Sequence, residues 1–288
     1  MSVLIPDILR AIFETAARED GRSALNLALV SRCVRNWVEI VLYSTVRLSR
    51  QRTTNNFLRT IETSHDKPGC YFSIHVKSLS IVYDMPVDQI RRIGQICSGI
   101  QNLTTWFIST ERLPLAQCLS EVGVRPKRLA AWHGVLCSPD PHLNLPFFTQ
   151  LTHLTVVNIW EQWSTWPHLD SSGFTLPNLT HLSLDLTFGA RVLASWEVLA
   201  ITDAVLAFLD FQSLRICGLR VDQPAESPTL VAVAARLADE ERVVLYRHGE
   251  PFQVREAHSD KEGKIWGALE QVVVRGSSAR KGEVFFVI

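Results

Sequence analysis

The sequence repeats one pattern 28 residues apart, first as Leu151-Thr152-His153-Leu154-Thr155-Val156 and then as Leu179-Thr180-His181-Leu182-Ser183-Leu184. From its histidine onward each copy alternates polar and apolar residues, as a strand does when one of its faces is buried. A pattern that returns every roughly 20 to 29 residues is typical of a solenoid, whose units bury their apolar faces against one another.

Weaker copies of the pattern extend the repeat in both directions. With the two strong copies, their central residues are separated by 24 to 32 positions, and they are Leu79, Leu103, Leu129, Leu154, Leu182, Leu214, Val243 and Val272. Apolar residues at helical spacing lie between the strands, as Ile90, Ile93 and Ile96; Leu115 and Leu119; Val205 and Leu209; and Leu230, Val233, Ala234 and Leu237. The pattern therefore predicts eight strand–helix units, with a closing hairpin formed by residues 272–274 and 284–288.

The polar positions of these strands form the candidate substrate surface. Alternation places them on the concave face, in register from strand to strand. The candidate side chains on this face are Arg128, His153, Thr155, His181, Ser183 and Arg215. Two stacked histidines, about 5 Å apart, would make binding sensitive to mild acid. The alternative is a set of solvated polar residues with no binding role.

The first 48 residues predict a small helical unit. Ile5, Ile8, Leu9, Ile12 and Phe13 recur at the spacing of one helical face, and a second apolar run starts near Ser23, a candidate N-cap. So short a segment cannot bury this much apolar surface within itself. It must pack on the rest of the chain or on a partner.

Composition excludes several classes of protein. The chain balances 29 basic against 29 acidic side chains and is 47% hydrophobic, which excludes bulk disorder and a general nucleic-acid binder. The most apolar stretch, 192–211, carries three carboxylates, and Pro6 and Asp7 interrupt the first apolar residues, so neither a membrane span nor a signal peptide is expected. We expect an intracellular protein of the cytoplasm or nucleus, with its six dispersed cysteines as buried thiols.

Residues for catalysis or cofactor binding are not evident. The sequence contains no Gly-x-Ser-x-Gly, His-Glu-x-x-His or phosphate-loop pattern. The one tight His/Cys group, His133, Cys137 and His142, falls short of the four ligands of a structural zinc site. We therefore expect a non-catalytic binding protein without cofactor or metal. Trp160, Trp163 and Trp166 form a second candidate binding site, with core packing as the alternative.

Residues 3–48 resemble the F-box, the helical module through which substrate receptors attach to the Skp-type adaptor of a cullin-based SCF ubiquitin ligase. The matching segments are Ile5-Pro6-Asp7-Ile8-Leu9, Ile12-Phe13, Leu27-Ala28-Leu29-Val30-Ser31-Arg32-Cys33 and Leu42-Tyr43-Ser44-Thr45-Val46-Arg47-Leu48. The resemblance implies three helices and an adaptor contact made by Ile5, Pro6, Ile8, Leu9, Ile12, Phe13, Leu27, Val30 and Val34. The alternative for this apolar face is packing on the first repeat.

Residues 70–288 resemble a divergent leucine-rich-repeat domain through their Leu-x-x-Leu-x-Leu frames. The resemblance implies an irregular α/β solenoid, joined to the F-box by a linker at 49–69. Together the two modules imply a substrate receptor, which holds an unknown protein target while partner chains transfer ubiquitin. A ligase-independent repeat scaffold is the first alternative function, and a hydrolase or other enzyme without known motifs is the second.

Overall fold

The computed structural model describes residues 6–64, 66–105, 115–132, 144–159, 176–187, 191–224, 226–247, 265–273 and 285–287. Within these ranges the protein is an α/β structure with one parallel sheet. The predicted α/β class is confirmed at this level.

Three helices open the chain: α1 (Pro6–Glu19), α2 (Gly21–Leu27) and α3 (Arg32–Ser44). Asp20 caps α2 by accepting hydrogen bonds from the amides of Arg22 and Ser23, each at 3.0 Å. Ser31 caps α3, its hydroxyl accepting from the amide of Val34 at 3.2 Å. Ser23 lies inside α2 and does not cap it, so the predicted cap is wrong. The second apolar run forms two helices, which a turn at residues 28–30 separates.

Nine parallel strands follow in strict chain order across the sheet. Their bounds are β1 (Thr45–Leu48), β2 (Ser78–Ile81), β3 (Asn102–Thr105), β4 (Arg128–Trp132), β5 (His153–Ile159), β6 (His181–Thr187), β7 (Ile216–Val221), β8 (Val243–Arg247) and β9 (Phe285–Val287). Each strand thus pairs with its neighbours in sequence, as a stacked repeat requires.

Helices between the strands cover one face of the sheet. They are α4 (Gln51–Thr63), α5 (Tyr71–His75), α6 (Val87–Ile96), α7 (Leu115–Glu121), α8 (Ser195–Leu209) and α9 (Pro228–Arg236), with a 3-10 turn at Pro146–Phe148. Alternate strand residues, such as Leu154, Leu182 and Cys217, pack with these helices into one continuous core. The four predicted helical patterns lie in α6, α7, α8 and α9, and are confirmed.

The strand register confirms the predicted frame through β6 and corrects it at β7. His153 pairs with His181, and His181 pairs with Ile216 rather than with Ser213. Leu214 lies just before β7 and holds the position that Leu179 holds before β6. The backbone amide of each of these two leucines donates to the carbonyl oxygen three residues earlier. The frame of this unit is therefore Leu214-x-x-Cys217-x-Leu219, and a cysteine at the central position concealed it.

Both ends of the sheet differ from the prediction. Residues 265–273, which include the predicted strand at Val272, form a helix, here called α10. The last strand, β9, runs parallel to β8, so the predicted hairpin is wrong. At the other end the sheet begins at β1, within the predicted F-box, and α4 occupies most of the predicted linker.

Candidate functional site

An apolar patch lies exposed on the N-terminal helices. It consists of Ile8 (46% exposed), Ile12 (52%), Leu25 (61%), Leu29 (85%) and Val30 (62%). Ile8 and Ile12 are one turn apart on α1. Leu29 and Val30 lie in the turn between α2 and α3. These five exposed apolar side chains all belong to one unit of some forty residues, which makes them candidates for a binding surface.

The helical unit has a buried interior of its own, to which no side chain of the apolar patch contributes. Ala17, Ala24, Val34 and Val38 are buried together, with Phe13, Leu27 and Trp37 packed around them. Val34 is thus part of this interior and offers no side chain to a partner, and Leu9, Phe13 and Leu27 are half-buried. Pro6 is exposed, and Ile5 lies outside the described residues.

Lys67 joins the helical unit to α5, which follows it in the chain. Its Nζ lies 2.7 Å from Glu39 on α3, and 4.6 Å and 4.7 Å from the ring centres of Tyr43 and Tyr71. Burial raises the pKa of Glu39, but hydrogen bonds from Lys67 and Arg35 outweigh it and hold the carboxyl below its ordinary value. The main contacts of the unit with the rest of the described chain come from α3, which meets α5 and β1. Contacts through α3 leave the patch uncovered.

The second face of the sheet, opposite α4–α9, carries the predicted substrate residues. His153 and His181 stack there with ring centres 4.2 Å apart and planes within 1°. Thr152 Oγ1 lies 2.9 Å from Nδ1 of His153, and Thr180 Oγ1 lies 2.7 Å from Nδ1 of His181. The repeated Leu-Thr-His sequence therefore builds the same threonine–histidine pair on two adjacent strands.

Helix α10 covers these histidines on the second face. Trp266 meets both rings edge-on, at 5.4 Å from His153 and 5.3 Å from His181. Glu270 Oε1 lies 3.0 Å from Nε2 of His181. Trp266 and Leu269 form a small cluster with Ile216, Val244 and Tyr246, separate from the main core. The face that the sequence predicts to be open is occupied here by the chain itself.

Burial changes the protonation of both histidines. It is the main cause that lowers the pKa of His153 to about 3, and the charges of His181 and Arg128 add to it. Burial also lowers the pKa of His181, and the hydrogen bond to Glu270 offsets only part of the shift. His153 therefore does not titrate in mildly acidic solution, contrary to the expectation from the sequence.

Two further pairs of polar side chains on this face bond to each other. The Ser183 hydroxyl lies 2.9 Å from that of Tyr246, and Arg220 donates to Asp185 at 2.5 Å. Ser183, Thr155 and His181 are buried, so they are not available to a target in this conformation. Register alone could not reveal this, because the residues that cover the face come from a distant helix.

Two predicted cations remain accessible beside the histidines. Arg128 is half-buried, and Arg215 is exposed just before β7, outside the strand where the sequence frame placed it. Both lie close enough to lower the pKa of His181. Trp160, Trp163 and Trp166 lie outside the described residues.

The sequence analysis missed Trp266, Leu269, Glu270 and Tyr246. The spacing of Ile265, Trp266, Leu269 and Val273 is helical and could have identified α10. The helix was missed because Val272 and Val274 fit the repeated strand pattern and were assigned to a strand. Nothing in the local sequence indicates that this helix packs on the second face.

The thiols divide into two groups. Cys97, Cys118 and Cys217 are buried as predicted, and burial raises the pKa of Cys97 and of Cys217 to about 12. Cys33 and Cys70 are exposed, contrary to the prediction. Cys137, with His133 and His142, lies outside the described residues, which contain no group of side chains suited to a metal ion.

Comparison with known proteins gives no match, either to a family model or to a curated protein. Among the described residues, none of the helices combines the length and apolar character needed to cross a bilayer. The assignment of function therefore depends on the two surfaces described above.

Proposed function

We propose that the chain is the substrate-recognition subunit of a cullin-based SCF ubiquitin ligase. In this proposal α1–α3 act as the F-box and bind a Skp-type adaptor, and the strand–helix units act as a divergent leucine-rich-repeat domain that binds a protein target. Ubiquitin transfer then takes place on partner chains, in the cytosol or the nucleus.

The exposed apolar patch is the observation that carries the proposal. Ile8, Ile12 and Val30 belong to segments that resemble the F-box, and all three are more than two-fifths exposed. Attachment of the unit through α3 keeps the patch free for another protein. Interfaces gain most of their binding energy from a few apolar anchors that become fully desolvated. The helical unit therefore has both the sequence pattern and the accessible surface for adaptor docking.

Co-purification with a Skp-type adaptor tests this role. Ile8→Asp and Ile12→Asp each place a carboxylate in the contact, where it loses its hydration without a partner. We expect each change to weaken adaptor capture by about 30-fold or more, which corresponds to about 2 kcal/mol. Because both residues are exposed in the free chain, the two variants should fold as the native chain does.

Val231→Asp is the matched control. Val231 is 55% exposed on α9, far along the chain from the patch, so the same charge should leave adaptor capture unchanged. Equal capture by the native chain and by both isoleucine variants would contradict the proposal. Retention of other proteins without any adaptor would favour the ligase-independent scaffold.

A further inference from the structure

We propose that the second face of β5–β8 is a binding site for a partner helix, and that α10 occupies this site as an exchangeable intramolecular ligand. The partner helix carries an aromatic residue, a leucine three positions later and an acidic residue at the fourth, as Trp266, Leu269 and Glu270 do. The inference rests on the proposed role of the solenoid as a target receptor, and it assigns the chemical class of the target segment.

A glycine in β7 makes room on the sheet for the leucine of α10. Gly218 lies beneath α10, where an added Cβ would come within 3.0 Å of Leu269 Cδ1 and 3.1 Å of Tyr246 Cε1. The absent side chain makes room for Leu269, which is fully buried there. Ile216 on the same strand and Val244 on the neighbouring strand β8 contribute the apolar walls. Such a concave apolar position is what a helix anchor requires.

The histidine pair forms the second part of the site. Trp266 packs edge-on against both stacked rings, and Nε2 of His181 is placed to donate to Glu270. Arg128 and Arg215 flank the pair without an ion pair of their own among the described residues. A carboxylate bound to His181 is therefore favoured by two nearby positive charges. This explains the acidic residue in the recognised pattern.

Several polar groups on this face pair without α10, and Nε2 of His181 is the one that bonds to Glu270 of the helix. Thr152 with His153, Thr180 with His181 and Ser183 with Tyr246 pair within the sheet itself. The α10 cluster is also separate from the continuous core on the other face. Departure of the helix would thus expose Ile216, Val244 and Tyr246 and free Nε2 of His181, which together offer apolar contacts and one polar contact to a partner helix.

Leu269→Asp tests the exchange in the full-length chain. The buried carboxylate should displace α10 and open the site. The probe is a fluorescent, N-acetylated peptide with the sequence of residues 265–273, measured by anisotropy. We expect the variant to bind it with a dissociation constant at least tenfold lower than that of the native chain, whose own helix competes. A peptide with alanine in place of its tryptophan should not bind.

Gly218→Val, added to Leu269→Asp, is the matched control. Its side chain fills the space above residue 218 that the leucine of the peptide would occupy, while α10 is already displaced. Peptide binding should then be lost. The inference would be overturned if Leu269→Asp bound the peptide no more tightly than the native chain does. It would also be overturned if circular dichroism showed the whole variant unfolded, because α10 would then be part of the core. Concentration-dependent dimers of Leu269→Asp would also overturn it, since the occupant would then be a second copy. Adaptor capture depends on the apolar patch, so the proposed function can fail or stand independently.

Discussion

His153 is the residue with the most perturbed protonation among the described imidazoles. The unfolded chain takes up a proton on this side chain as the pH falls below about 6.5, whereas the folded chain does so only near pH 3. A group whose pKa is lowered by folding contributes a stability that is complete above its unfolded pKa. This stability is lost as the pH falls from the unfolded pKa towards the folded pKa.

We therefore predict that acid destabilises the native chain more than the His153→Phe variant, which keeps a ring in the stack without a titrating nitrogen. Between about pH 7 and pH 5, the native free energy of unfolding should fall by about 1 to 2 kcal/mol more than that of the variant. Denaturant unfolding at the two pH values measures this difference. Parallel losses in both proteins would contradict the assigned pKa.

Gly99, in the turn between α6 and β3, allows a close backbone approach. A Cβ at this position would lie 2.0 Å from the carbonyl oxygen of Ser73, which is part of α5. We predict that Gly99→Ala lowers the free energy of unfolding by about 1 to 3 kcal/mol, because the backbone must move apart. Gly69→Ala, with no atom within 4 Å of the added Cβ, should leave stability unchanged or raise it by up to about 1 kcal/mol. Equal effects of the two changes on thermal unfolding would refute the close contact.

At the scale of elements, the junction between α3 and α5 depends on Lys67. Its side chain is about one-tenth exposed, and its ammonium group contacts both Glu39 and two tyrosine rings. A cation held in this way is costly to remove, because the carboxylate and the rings lose their partner together.

Lys67→Met should lower the free energy of unfolding by about 1 to 3 kcal/mol. Arg91→Met is the matched control, since the ion pair of Arg91 with Glu121 is more than two-fifths exposed on both sides and should contribute less than about 1 kcal/mol. Urea unfolding of the two variants makes the comparison. A larger loss in Arg91→Met would show that the Lys67 contacts do not hold the junction.

Element type was more predictable than element position. Helical spacing identified α6–α9, because each buries one face against the sheet and its apolar period is unbroken. The same rule missed α10, whose valines favour a strand by propensity and whose packing partner lies on the opposite face. The β7 frame was misplaced because Cys217 fills a position that leucine holds elsewhere.

At the scale of the whole molecule, the strands are not equally protected. All side chains of 181–186 in β6 and of 216–221 in β7 are buried, because helices cover one face and α10 with its neighbours covers the other. The helical unit α1–α3 has a small interior of four fully buried residues. Local opening depends on how much buried contact must be broken.

We therefore predict that amide hydrogen exchange is slowest in β6 and β7 and fastest, among the helices and strands, in α1 and α2. Mass spectrometry of exchanged peptides measures the order. The Ile8→Asp variant is a suitable control, because it alters an exposed side chain and should leave the protection of β6 unchanged. Protection of α1 equal to that of β6 would show that the helical unit does not open independently.

The sequence by itself determined the repeat and the α/β class of the fold, because the alternation of apolar residues along each strand is local and recurs with the unit. It also identified the exposed isoleucines of α1 as surplus apolar surface, since some forty residues cannot bury them. Tertiary structure decided what lies on each face of the sheet. Contacts between α10 and the histidine pair join residues about 90 positions apart, and local spacing carries no information on such contacts. The same long-range burial sets the protonation of His153, which depends on a protein environment that no stretch of sequence contains.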